Sequence, residues 1–367
     1  MNNNIKVAFI GLGLIGGSIA KTIRKTHPSA NIIALNRSSA PLEEALSDGV
    51  INAGTHEIDD NFKDCDIIFL CTPVETNTRF LPLLSEYLTP DTILTDAGSV
   101  KGEIHDAVSR LLPDAPFIGG HPMAGSEKSG YANSSDHLME NAYYILTPGP
   151  NAKDKQIKFY SDFVSSLGAI PMILSPEEHD YITGAISHVP HLIAYSLVKM
   201  VKDADGEDEH MKMIAAGGFK DITRIAGSDP TMWEQICLEN RDNILSITDL
   251  YIDTLKELKS LVENRDSKAL YSVFRDIKEY RSSFSTQPKG PIKKQFDLYC
   301  DIIDEAGAIA TIATILSTSD ISIKNIGIVH NRTFEEGALH IAFYDEESCS
   351  RACDILKRHN YKIYDSK

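Results

Sequence analysis

A chain of 367 residues and 40.5 kDa is too long for one ordinary core and calls for two or three domains. Its 36 Lys and Arg against 52 Asp and Glu leave a formal charge of −16 and a pI of about 5.2, which excludes an extended basic surface for nucleic acid but not a local arginine for a small anion. No apolar run approaches the roughly 18–20 residues of a membrane span. The start, Met1 to Asn4, carries no basic n-region, so a cytoplasmic chain without a secretory signal is expected.

Residues 5–10 (IKVAFI) predict a buried strand, followed at once by Gly11-Leu12-Gly13-Leu14-Ile15-Gly16 and a helix with Ile15, Ile19 and Ile23 on one face. Further strands are expected at Asn31 to Asn36, Asp66 to Cys71 and Thr92 to Asp96, with helical stretches between them. Shorter ones fit at Phe117–Gly119, Tyr143–Leu146 and Ile170–Leu174. Strands alternating with helices imply an α/β fold, a Rossmann-type doubly wound parallel sheet over residues 1–174. At Ser175-Pro176-Glu177-Glu178 a capping box opens a region that reads almost only as helix. The stripes Ile244, Ile247, Tyr251, Leu255, Leu258, Val262 and Leu270, Val273, Phe274, Ile277, Phe284 read mostly as core, in an all-helical substrate and dimerisation domain over 175–285. Residues 286–294 compose a linker. The tail, 295–367, follows a βαββαβ order, a small α+β ferredoxin-like unit. Six cysteines without a CxxC pair read as reduced thiols.

The glycine motif has the context that gives it meaning, a strand before it and a helix after it. Gly11 permits the tight turn, Gly13 lets backbone approach a pyrophosphate, and Gly16 lets helix and strand pack closely. Leu14 and Ile15 open the helix whose free N–H groups face the phosphates. An NAD site would show Asp or Glu about 20 residues on; here stand Asn36, Arg37 and Ser38. Arg37 with a hydroxyl suits a 2′-phosphate, whereas Arg37 on adenine with Asn36 on the ribose suits NAD+. Both acceptors stay open, with a lean to NADP+. Thr72-Pro73 would lie at the carboxyl edge of the sheet, where ligands bind.

Three stretches hold polar residues that the fold alone does not require: Asp96-Ala97-Gly98-Ser99-Val100-Lys101, then Gly119 to Glu127 around His121, then a helical stretch with His179-Asp180, Ser187-His188-Val189-Pro190-His191 and residues 217–233. With GLGLIGGS, DAGSVK, GGHPMAGSEKSG, HDxxxxxxSHVPH and GFKDITRIAGSDPxMW in order, the chain resembles the prephenate dehydrogenase family over about residues 5 to 285. The resemblance implies oxidative decarboxylation of prephenate to 4-hydroxyphenylpyruvate in tyrosine biosynthesis, with hydride transfer to NAD(P)+. Arogenate is the alternative substrate, because the arogenate enzymes share these motifs. His121 is the expected acceptor of the hydroxyl proton, since it follows a strand at the cofactor edge and a neutral imidazole is matched to pH 7. By resemblance Ser99 is a hydroxyl contact beside it, Arg224 binds a substrate carboxylate, and His191 and Glu127 are further substrate contacts; Trp233 walls the pocket. No metal is expected, for the chemistry needs none and the histidine spacings match no ligand motif. The tail, with Asp304 to Gly307 opening its first helix, resembles an ACT domain. That implies a tyrosine effector held by Asp304, Gly307 and Asn325. A homodimer is expected. A non-catalytic nucleotide and amino-acid sensor is the reading from another class.

Overall fold

The computed structural model describes residues 5–125, 128–284, 296–302, 307–329 and 338–364. The chain divides between Phe284 and Ser285 into two compact units.

In the first unit five strands, β1 (Lys6–Ile10), β2 (Asn31–Leu35), β3 (Ala53–Thr55), β4 (Ile67–Leu70) and β5 (Ile93–Asp96), form a wholly parallel sheet in the order β3-β2-β1-β4-β5. The alternation of side chains along β1 explains why it sits in the middle. Val7 and Phe9 join a core on one face with Ile19 and Ile23, while Ala8 and Ile10 join another on the opposite face with Leu81, Leu84 and Ile104. Strand order reverses between β1 and β4, so the crevice outside Gly11 and Thr72 is the ligand position of such sheets. β3, three residues around Gly54, carries too little pattern to be read from sequence.

The expectation of a single parallel sheet needs correction beyond β5. β6 (Ile118–Pro122), β7 (Tyr143–Pro148) and β8 (Ile170–Ile173) form a separate three-stranded sheet, joined to β5 by one parallel bridge between Leu94 and Phe117. β6 pairs with β7 antiparallel, and β7 with β8 parallel. Among the described residues from Pro122 to Tyr143 the chain has only the short turn of helix Tyr131–Asn133. Without a crossover helix, neighbouring strands pair antiparallel.

Helices Pro176–Thr183, Val189–Ala204, Gly217–Thr223, Pro230–Glu239, Arg241–Glu263 and Ser267–Ser283 follow. Ser175 Oγ accepts the Glu178 N–H at 3.1 Å, the cap expected there. The apolar stripes of the last two helices depart from the core reading. Ile244 and Ile247 are buried, but Leu255, Val262, Phe274, Ile277 and Phe284 lie exposed in the single chain. No described helix is long and apolar enough to cross a membrane.

The second unit pairs β9 (Phe296–Asp301), β10 (Ile323–Val329), β11 (Ala338–Phe343) and β12 (Ile363–Tyr364) in the order β10-β11-β9-β12, antiparallel throughout. Helices Ala308–Ser317 and Glu346–Arg358 bury Ile312, Leu316, Ala352 and Leu356 against Leu298, Cys300, Leu339 and Ile341. This is the split βαββαβ arrangement that the element order implied.

Candidate active site

The glycine loop is shaped by contacts that only glycine allows. Gly11 has φ +98°, and a Cβ there would meet Thr72 Cγ2 at 2.6 Å. A Cβ on Gly16 would collide with the Gly11 carbonyl oxygen. A Cβ on Gly13 would meet no protein atom within 4 Å, so the space over it is open to a ligand. Leu14 and Ile15 begin helix Leu14–Thr26 directly after it. These residues fit a dinucleotide pyrophosphate: close backbone approach, free N–H groups and a helix dipole. Gly16→Ala is therefore expected to abolish dinucleotide binding, read by fluorescence titration. Wild-type affinity in that variant would mean that the loop is not the site.

Asn36 has a use that its sequence position did not reveal. Its Oδ1 accepts the Leu12 N–H at 3.1 Å and its Nδ2 donates to both the carbonyl and the hydroxyl of Ser38, each at 3.1 Å. The side chain clamps the glycine loop to the end of β2, and the neighbouring Arg37 and Ser38 are exposed. Thr72 is held in turn by buried Asn77. That amide accepts the Thr72 N–H at 3.2 Å and donates to the Thr72 carbonyl at 2.8 Å, while Pro73 leads into helix Val74–Leu84.

One strand further on, the loop after β5 is built around a fully buried ion pair. Lys101 Nζ donates to Asp96 Oδ2 and, at 2.7 Å, to the Gly120 carbonyl. Asp96 also accepts the Gly98 N–H at 2.9 Å and the Gly120 N–H at 3.1 Å. One carboxylate thus ties the loop carrying Ser99 to the strand carrying His121. The helical region is stitched to the same loop, because Asp180 accepts the Lys101 and Gly102 N–H groups, both at 2.8 Å.

His121 stands near the end of β6 with its Nδ1 at 2.8 Å from His179 Nε2, and His179 Nδ1 lies 2.8 Å from Asp180 Oδ1. Burial pushes the His121 pKa well below 6.5, and the nearby Lys101 ammonium acts in the same direction. The ring is a neutral base at pH 7. Lys101 and His179 both stood in the polar stretches of the sequence, but neither the burial of the lysine nor the pairing of the two histidines could be read there. A Lys next to a glycine gives no sign of burial, and the spacing of His179 from His121 is visible only in the fold.

Val100, the neighbour of Ser99, packs in a small apolar cluster with Trp233 and Ile236. His191 stacks on Trp233 with ring centroids 3.5 Å apart, and its Nδ1–H donates to the Ser187 carbonyl at 2.9 Å. Burial lowers the His191 pKa, opposed by the Ser187 bond, and the Arg224 charge lowers it further. The turn Arg224–Gly227 packs on helix Val189–Ala204, which carries His191. The structure therefore brings Ser99, His191, Trp233 and Arg224 to one region. His188 belongs to the core instead: it is buried, Asn240 donates to its Nδ1 at 3.0 Å, and burial holds its pKa at about 4. The residues from Gly184 to His188 form a π-helical turn that separates the His179 and His191 faces. Among the described residues no three His, Cys, Asp or Glu are grouped to hold a metal. Glu127 and Asp304 lie outside the described residues.

A nucleotide loop at the edge of a Rossmann-type sheet, with a histidine one loop away, is the arrangement of a dinucleotide-dependent oxidoreductase. The family model for the nucleotide-binding domain of prephenate dehydrogenase matches residues 19–173, and that for its dimerization domain matches 175–276. The chain belongs to the prephenate dehydrogenase family. It is 39% identical over 361 residues to a prephenate dehydrogenase of Bacillus subtilis (98% of this chain, 97% of the relative). It is 35% identical to one of Lactococcus lactis (96% and 98%). A crystal structure of prephenate dehydrogenase from A. aeolicus, in complex with hydroxyphenyl propionate and NAD+, superposes with TM-score 0.72 at 34% identity, covering 77% of this chain and 98% of that one.

Proposed function

We propose that the chain converts prephenate to 4-hydroxyphenylpyruvate with His121 as proton acceptor. The observation that carries this is a half-buried His121, its pKa held below 6.5, on the strand tied by Asp96 to the Ser99 loop. When bound, the nicotinamide supplies the acceptor for the hydride leaving the hydroxyl-bearing ring carbon. His121 takes the hydroxyl proton as that C–O bond becomes a carbonyl. The ring carboxylate leaves as CO₂, its bonding pair enters the ring, and the carbonyl oxygen becomes the phenol oxygen on reprotonation. Arg224 holds a substrate carboxylate as a bidentate fork, and His191 and Glu127 contact the substrate beside it. Ser99 meets the reacting hydroxyl, and Trp233 closes the wall, keeping water from the ring.

The dinucleotide lies on Gly11, Gly13, Leu14, Ile15 and Gly16 with Thr72-Pro73 at the crevice edge. NAD+ is the acceptor, a reading supported by the ligands of the A. aeolicus relative. Exposed Arg37 and Ser38 give NADP+ a place for its 2′-phosphate, so NADP+ serves as a second acceptor. The exposed stripes of helices Arg241–Glu263 and Ser267–Ser283 support a homodimer. The split βαββαβ sheet supports an ACT-like module that binds tyrosine as a feedback inhibitor, with Gly307 (φ +96°) at the helix start, Asn325 on β10 and Asp304 as contacts.

The pH profile of kcat/KM for prephenate tests the role of His121. The base must be neutral, and its folded pKa is below 6.5. Activity should therefore persist as pH falls through 6.5 and decline only below it. An acid limb above pH 7 would remove His121 from this role.

A further inference from the structure

His179 and Asp180 are adjacent, buried, and unused in the chemistry above. We propose that they are positioning residues that set the tautomer of His121, presenting its unprotonated Nε2 to the substrate. The inference rests on the reading of His121 as proton acceptor and adds how that acceptor is kept ready.

An ionised carboxylate only accepts, so the 2.8 Å contact between Asp180 Oδ1 and His179 Nδ1 places the hydrogen on Nδ1. A neutral His179 then has only a lone pair at Nε2. That lone pair faces His121 Nδ1 at 2.8 Å, so His121 is the donor in this bond. A neutral His121 with its hydrogen on Nδ1 has a bare Nε2, the form that accepts a proton. The opposite tautomer would turn a donor towards the hydroxyl and block the transfer.

The chain is anchored so that it cannot reverse. Asp180 is locked by the Lys101 and Gly102 N–H groups, and its own carbonyl accepts from Asn240 Nδ2 at 2.7 Å. His179 is sealed from solvent, and the Thr183 hydroxyl donates to its carbonyl at 2.9 Å. The two rings meet edge to face at 65°, with centroids 5.0 Å apart. When His121 takes a proton at Nε2, the bond from its Nδ1–H strengthens through His179 towards the Asp180 charge, which stabilises the imidazolium.

The test compares His179→Leu with His179→Gln in the full-length protein. Gln places an amide oxygen where Nε2 stood, and Asp180 selects that orientation by accepting from the amide NH₂. Leu fills the space and accepts nothing. The expected result is a fall in kcat of about 10²-fold or more for Leu, with KM for prephenate unchanged, and a loss of less than about tenfold for Gln. Nitrogen NMR of the wild-type enzyme with ¹⁵N-labelled histidine should show His121 carrying its hydrogen on Nδ1 at neutral pH. Equal losses for Leu and Gln would overturn the proposal, as would a Leu variant with wild-type kcat. Should the Leu variant fail to fold, the wild-type spectrum still decides, since hydrogen on Nε2 of His121 contradicts the proposal outright. A His121→Asn variant measured alongside separates the two claims. If it keeps full turnover, the proton-acceptor reading itself is wrong; if it is inactive while both His179 variants turn over normally, only the tautomer argument fails.

Discussion

His121→Asn is expected to lower kcat for prephenate by about 10²–10⁴-fold while dinucleotide binding stays as in the wild type. The two effects separate because different residues carry them. The glycine loop is positioned by Leu35 and Asn36 at the end of β2 and by Cys71 and Thr72 directly after β4. His121 stands on β6, in a different sheet, tied to the Ser99 loop through Asp96 and to the helical region through His179. Asn keeps a polar side chain near the Nδ1 position but offers no base at Nε2. Single-turnover kinetics with a parallel dinucleotide titration would check both halves. A variant with wild-type turnover would move the proton transfer to another group, and one that loses dinucleotide binding would show that the two sheets are coupled in ways the contacts do not reveal.

The largest effect on stability is expected at Lys101. Its ammonium and the Asp96 carboxylate are both fully buried. Removing one partner leaves an uncompensated charge out of water, at a cost of about 3–5 kcal/mol. Lys101→Met also takes the donor from the Gly120 carbonyl, directly before His121. Denaturant unfolding followed by the fluorescence of Trp233, the single tryptophan, would report the loss in the first unit. Adding Asp96→Asn should recover part of it, because the stranded charge goes while one N–H acceptor remains. A loss below about 1 kcal/mol for Lys101→Met would mean that water reaches the pair.

The contrast between these residues shows what the sequence can express. The glycine loop was legible because each of its demands is local: a positive φ, a collision with a carbonyl five residues away, a helix start. The capped start at Ser175 was legible for a related reason, since residue type and immediate context carried it; His121 was named as a candidate on the same grounds, whereas Arg224 came only from the family resemblance. The His179–Asp180 pair was visible as a motif without a purpose. Its purpose depends on a contact spanning 58 residues between a strand and a helix. Asn36 was weighed against a ribose, whereas its amide is spent on the backbone of Leu12 and Ser38, a use decided by the approach of two loops. The antiparallel pairing of β6 and β7 escaped because hydropathy marks strands and not their direction. The exposed stripes after Arg241 look like core in a sequence, since periodicity reports an apolar face and not what covers it.

The most direct measurement mixes the purified chain with prephenate and NAD+ and follows nicotinamide reduction, CO₂ release and the aromatic product together. The account predicts that all three appear in equal amounts, with 4-hydroxyphenylpyruvate as the product. Protein that binds NAD+ but neither reduces it nor releases CO₂ with prephenate would contradict it.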